Sequence, residues 1–171
     1  NIDDIFSDVD SQCIWWMDAS RLIIKNSKFR AAGQCLLVGG SASAIRGHTS
    51  NDVLLSKNDF CGRMGKLVDG RPMTSKYIIE LKRGENYRFV ENDIHDLAGG
   101  INAGTAIGLT MRIERSRNPW LVIKDIYIAD NRLWNIGRFI NALGVDYTSN
   151  NGGSFEGLVV EGNCASMSGP P

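Results

Sequence analysis

Two short pairs carry the clearest chemical potential in this chain: Glu80-x-Lys82 and Thr110-x-Arg112. In an extended strand, residues two apart point to the same side. Each pair therefore presents two polar groups on one face. A carboxylate, two cations and a hydroxyl on a shared face suit an acidic, hydroxyl-rich polymer. Lys82 and Arg112 would meet its carboxylates, Thr110 its hydroxyls, and Trp15 would offer a plane for ring stacking. Glycosidic hydrolysis needs two carboxylates across the scissile bond. Glu80 is one candidate, and its possible partners are Asp146, at the rim of the face, and Asp69. The plain alternative is a solvated Glu80–Lys82 surface pair of little consequence.

Other chemistries find less support. No run of Asp resembles a calcium cage. Asp93, Asp96, Asp125 and Asp130 sit beside bends, where Asp serves turns. His48 and His95 have no Ser or Cys nucleophile at a recognisable elbow, so both read as structural or solvent-facing. Gly99 to Gly104 is Gly-rich but lacks a Lys-Ser/Thr and a following helix, so it reads as a turn. Cys13, Cys35, Cys61 and Cys164 lack zinc-ribbon spacing, and two histidines do not complete a metal cluster. The first three thiols fall in or beside apolar stretches and read as buried and unbridged. No metal and no cofactor is expected.

The elements that must position these residues are legible as a repeat. Apolar, any, apolar, any, any, Asn or Ser recurs with Leu22-Ile24-Ser27, Val53-Leu55-Asn58, Tyr87-Phe89-Asn92, Ile126-Ile128-Asn131 and Leu158-Val160-Asn163. An apolar residue usually follows two positions later, as in Phe29, Phe60, Ile94 and Leu133. Such a unit is a strand, an Asn at a bend, and a second strand, repeated with insertions. Inward Asn side chains can both donate and accept along the stacking axis, fixing the register. Asn also tolerates the left-handed backbone of a sharp corner.

A second set falls in register with the first: Ile14–Met17, Leu36–Gly39, Ile79–Lys82, Ile107–Thr110 and Asn141–Gly144. Alternation sends Leu36/Val38, Ile79/Leu81, Ile107/Leu109 and Asn141/Leu143 inward. It sends Glu80/Lys82, Gly108/Thr110 and Ala142/Gly144 outward, in a row that includes Trp15, Met17 and Arg112. Trp16 then faces the core. Sustained helical periodicity is missing; at most Ile5 to Val9 form one turn. The spacing predicts polar insertions at Gly70–Lys76, Arg112–Pro119 and Tyr147–Phe155.

Composition sets outer bounds. At 171 residues with 43 % apolar content, the chain fits one domain with a packed core. Lys+Arg and Asp+Glu both number 19, which removes the electrostatic footprint of a nucleic-acid binder. The apolar runs are too short to span a bilayer. The chain opens on Asn1 rather than Met, which is expected of a processed or truncated chain.

The repeats resemble the right-handed parallel β-helix, pectate-lyase-like superfamily over roughly Ile14 to Asn163. Ala31-Ala32-Gly33-Gln34-Cys35-Leu36-Leu37-Val38-Gly39-Gly40, Tyr77–Arg83, Ala106–Arg112 and Phe139–Asp146 are similar to segments of one uncharacterised bacterial and phage branch. The resemblance implies an all-β solenoid of about five coils, a segment of a longer helix. It implies a polysaccharide partner and assembly into a homotrimer or with other virion subunits, as in a phage tailspike, on a virion or cell surface. Unbridged thiols suit assembly of a virion protein in a reducing cytoplasm. Lyases of this superfamily often use Arg or Lys as base, for which Arg112 and Lys82 qualify. The candidate catalytic set is thus Glu80, Arg112 and Asp146, and the binding set Trp15, Lys82 and Thr110. A secreted polysaccharide lyase or glycoside hydrolase is the first alternative. A purely structural assembly protein is the second.

Overall fold

The computed structural model describes residues 1–5, 11–31, 33–62, 67–68, 71–72, 76–97, 102–112, 119–144 and 154–168. Asp69 and Asp146 lie outside these residues, as do most of the three expected insertions.

The strands are β1 (Ile2–Ile5), β2 (Gln12–Trp16), β3 (Ser20–Lys25), β4 (Lys28–Ala31), β5 (Gln34–Val38) and β6 (Asn51–Ser56). There follow β7 (Asp59–Cys61), β8 (Leu67–Val68), β9 (Arg71–Pro72), β10 (Ile79–Leu81), β11 (Gly84–Val90) and β12 (Asp93–Leu97). The last are β13 (Thr105–Thr110), β14 (Ile123–Ala129), β15 (Arg132–Ile136), β16 (Arg138–Leu143), β17 (Phe155–Glu161) and β18 (Cys164–Met167). Among the described residues there is no helix.

Apart from the small antiparallel β8–β9 pair, the strands form three parallel sheets that the chain visits in strict rotation. The first sheet runs β1-β4-β7-β12-β15-β18, the second β2-β5-β10-β13-β16 and the third β3-β6-β11-β14-β17. The chain is therefore all-β with repeating circuits, an arrangement consistent with a parallel β-helix. The repeat pairs as its spacing requires. Leu22, Val53, Tyr87, Ile126 and Leu158 align across the third sheet. Phe29, Phe60, Ile94, Leu133 and Ala165 align across the first. Apart from exposed Ala165, their side chains enclose one core with Leu36, Ile79, Leu81, Ile107 and Leu109 of the second. Each fully buried Leu, Ile or Phe contributes about 1.5–3 kcal/mol relative to exposure. Phe29 and Phe60 stack inside at 5.1 Å. Trp16 packs against the core's edge, as alternation requires.

The Asn corner is a continuous ladder. The backbone N–H groups of Ser27, Asn58, Asn92 and Asn131 donate to the side-chain oxygen of the next circuit's Asn at 2.9–3.0 Å. The Asn58, Asn92 and Asn131 amides donate to the same oxygens. Each ladder amide also reaches back to a strand carbonyl, Ile24, Leu55, Phe89 and Ile128 in turn, at 2.8–3.0 Å. Asn58, Asn92 and Asn131 are buried. Ser27 takes the first rung only as a backbone donor; its hydroxyl turns to its own strand.

Two expectations need correction. The left-handed residue of the corner is not the Asn but the residue before it. Asn26, Lys57, Glu91, Asp130 and Gly162 have φ of 51–63°. The corner thus separates two jobs, with the bend on one residue and polar satisfaction on the next. Second, the last circuit is shifted by one position: Ile140 pairs with Ile107, Asn141 with Gly108 and Leu143 with Thr110. Asn141 and Leu143 therefore take the outward positions, and Ile140 faces the core. A one-residue slip moves every side chain to the opposite face, and Phe139-Ile140 supplies better apolar cover than Asn141.

Candidate functional site

On the second sheet, the outward row reads Trp15, Leu37, Glu80, Gly108 and Asn141 across paired strands. The row changes character at each step, unlike the Asn ladder. Glu80 projects outward from β10 yet is almost fully covered, at 2 % exposure. Its Oε1 accepts from Lys82 Nζ and, at 2.9 Å, from Thr110 Oγ1; its Oε2 accepts from Gln34 Nε2. Lys82 Nζ also donates to Thr110 Oγ1 at 3.2 Å. Gln12 extends the chain of contacts, donating to Gln34 at 3.1 Å. The expected exposed ion pair is instead an enclosed polar network.

Gly108 explains part of that enclosure. A Cβ there would lie 2.8 Å from three ring atoms of Tyr77. Without one, the Tyr77 ring lies against the outer face of β13, whose residues are buried on both sides. Asn141 Nδ2 donates to the Tyr77 hydroxyl at 2.9 Å, anchoring the ring's far end.

Beside this network is a cavity of about 350 Å³ lined by Lys76, Tyr77, Glu80, Lys82, Asn102, Thr110, Met111, Arg112, Asn141 and Leu143. Four of the candidate residues, Glu80, Lys82, Thr110 and Arg112, are thus brought together. Among the described lining residues, three side chains are cationic and one is anionic. Two of Lys82's three ammonium donors are used by Glu80 and Thr110. Among the described residues, no hydrogen-bond partner engages the Arg112 guanidinium. Trp15 is not brought to the cavity: it stands outward and 56 % exposed, with its indole N–H on the Gly39 carbonyl at 2.6 Å.

The first sheet carries a cluster that the sequence concealed. His95, Cys61 and Trp134 occupy one outward register position on adjacent strands. His95 Nε2 is hydrogen-bonded to Asp59 Oδ1 at 2.7 Å and Nδ1 to Asp96 Oδ2 at 2.8 Å. Its ring stacks on Trp134, centroids 4.2 Å apart and nearly parallel. The Arg132 guanidinium lies over the Trp134 ring, 4.8 Å from its centroid. Burial alone would lower the His95 pKa; contacts with Cys61, Asp96 and Asp59 outweigh it and hold the ring at about 9. Burial pushes Asp96 up, but Asn135 and the His95 ring bring it below its ordinary value. All four cysteines are free thiols; Cys35 and Cys61 are buried, Cys13 is half-buried and Cys164 exposed.

No protein family, curated protein or solved structure matches this chain. Functional inference therefore rests on the two outer faces themselves.

Proposed function

We propose that this chain is a segment of a right-handed parallel β-helix whose second sheet binds an acidic polysaccharide, in a tailspike-like protein of a virion or cell surface. The observation that carries the reading is the cavity's lining. Among the described lining residues, Lys76, Lys82 and Arg112 outnumber one carboxylate, while Tyr77, Asn102 and Asn141 supply an aromatic ring and amides. Cations select the carboxylates of a uronate-type sugar; amides and Thr110 suit its hydroxyls. Strand-to-strand spacing of about 4.8 Å presents such groups in a row, which suits an extended chain.

Binding is better supported than cleavage. Both oxygens of Glu80 are committed to Lys82, Thr110 and Gln34. Glu80 is a positioning residue that holds Lys82 against the cavity, and Arg112 is a binding group. Exposed Trp15 and Ile23 offer apolar surface for homotrimer or virion-subunit contacts.

The test is a glycan array comparing uronate-containing with neutral polysaccharides, followed by titration of the best binder. Selective retention of acidic polymers, weakened at least 10-fold by Arg112→Ala with unchanged circular dichroism, supports the reading. Equal retention of neutral and acidic polymers, or none of either, leaves the structural assembly reading in its place.

A further inference from the structure

We propose that Cys61, His95 and Asp96, on the outer side of the first sheet, bind a divalent transition metal ion of the zinc type. This site is separate from the cavity of the second sheet and does not depend on the glycan reading. A Cys61 sulfur, a His95 ring nitrogen and an Asp96 carboxylate oxygen all lie within 4.8 Å of one another. The contacts are 2.8 Å from Nδ1 to Asp96 Oδ2 and 3.8 Å from Cys61 Sγ to the same oxygen. A tetrahedral ion with bonds of roughly 2.0–2.3 Å holds its ligand atoms about 3.3–3.6 Å apart. A small opening of the Nδ1–Oδ2 contact would admit it.

The surroundings are those of a built site. Metal-binding histidines commonly pass their second ring nitrogen to a carboxylate; here Asp59 takes Nε2 at 2.7 Å. Asn135 Nδ2 holds the other Asp96 oxygen at 2.7 Å, leaving Oδ2 to face the cluster. Trp134 fixes the ring plane from the next strand. Cys61 pairs directly opposite His95 on parallel strands, so its thiol approaches the ring from the other side. A thiolate and an imidazole disfavour calcium and magnesium, which take oxygen ligands. Three protein ligands leave a fourth position for water or an external ligand.

Cobalt(II) is the probe. The chelator-treated chain, titrated with Co²⁺, should develop a thiolate-to-cobalt charge-transfer band in the near ultraviolet and the visible bands of four-coordinate cobalt. Zn²⁺ should bleach both. Cys61→Ser should lose the charge-transfer band. Because Cys61 is close to the core, Asp96→Asn provides a second variant on a more exposed side chain. It should weaken binding at least 10-fold with unchanged circular dichroism. Asp59→Asn should weaken binding about 10- to 100-fold. Absence of the band in the unaltered chain, its persistence in Cys61→Ser, or full affinity in Asp96→Asn would overturn the proposal.

Discussion

The Asn corner and the outer row of the second sheet stack polar side chains along the same axis, to opposite effect. At the corner Asn58, Asn92 and Asn131 repeat one chemistry: an amide donates up the axis and back to a strand carbonyl. On the outer row no two neighbours match, and Leu37, Glu80, Gly108 and Asn141 follow one another. Repetition serves the fold, because each circuit has the same backbone groups to satisfy. Broken repetition marks the places where circuits differ in what they meet.

The comparison predicts how each row fails. Asn92→Leu removes both side-chain donor bonds and leaves the Asn58 N–H and one of its two amide hydrogens without an acceptor in a dry interior, the other staying on the Ile24 carbonyl. It should cost about 3 kcal/mol, read from urea unfolding. A loss below about 0.5 kcal/mol would break the distinction. Glu80→Gln should cost less, about 1–3 kcal/mol, because Lys82 keeps an acceptor but loses its charge partner. It should also weaken binding of an acidic polymer by displacing Lys82. Gly108→Ala should cost about 1–2 kcal/mol by pushing Tyr77 off the sheet, with loss of near-ultraviolet dichroism if the ring is freed. Arg112→Ala should leave stability within about 0.5 kcal/mol, as for surface positions, while affecting the ligand most.

The architecture was readable because its signal recurs. Apolar pairs two apart, each followed three residues later by Asn or Ser, set the correct register in all five circuits of the third sheet. The left-handed residue reads from the sequence as the Asn, one position late, because Asn26, Lys57, Glu91, Asp130 and Gly162 share no residue type; the geometry is imposed by the ladder beside it. The last circuit was misaligned because Asn141 and Leu143 mimic the alternation of Ile107 and Leu109 one position out of phase. Glu80, Lys82, Thr110 and Arg112 could be placed on one face from alternation alone. The enclosure of Glu80 could not, since it depends on Gln34 and on Tyr77 lying over a glycine. The His95 cluster was hidden most deeply. Asp59, Cys61 and Trp134 reach His95 only through parallel pairing, and each reads as ordinary in its own segment. Its one detectable trace was the identical offset of Cys61, His95 and Trp134 from their ladder Asn residues.

The most direct test of the central claim is isothermal titration of the chain with a polyuronate, with Arg112→Ala and Asn92→Leu measured in parallel for affinity and urea stability. A division of labour between the rows predicts that Arg112→Ala loses at least 10-fold in affinity at unchanged stability. Asn92→Leu should lose stability while its folded fraction binds normally. Unaltered affinity in Arg112→Ala, or a stability loss there equal to that of Asn92→Leu, would contradict it.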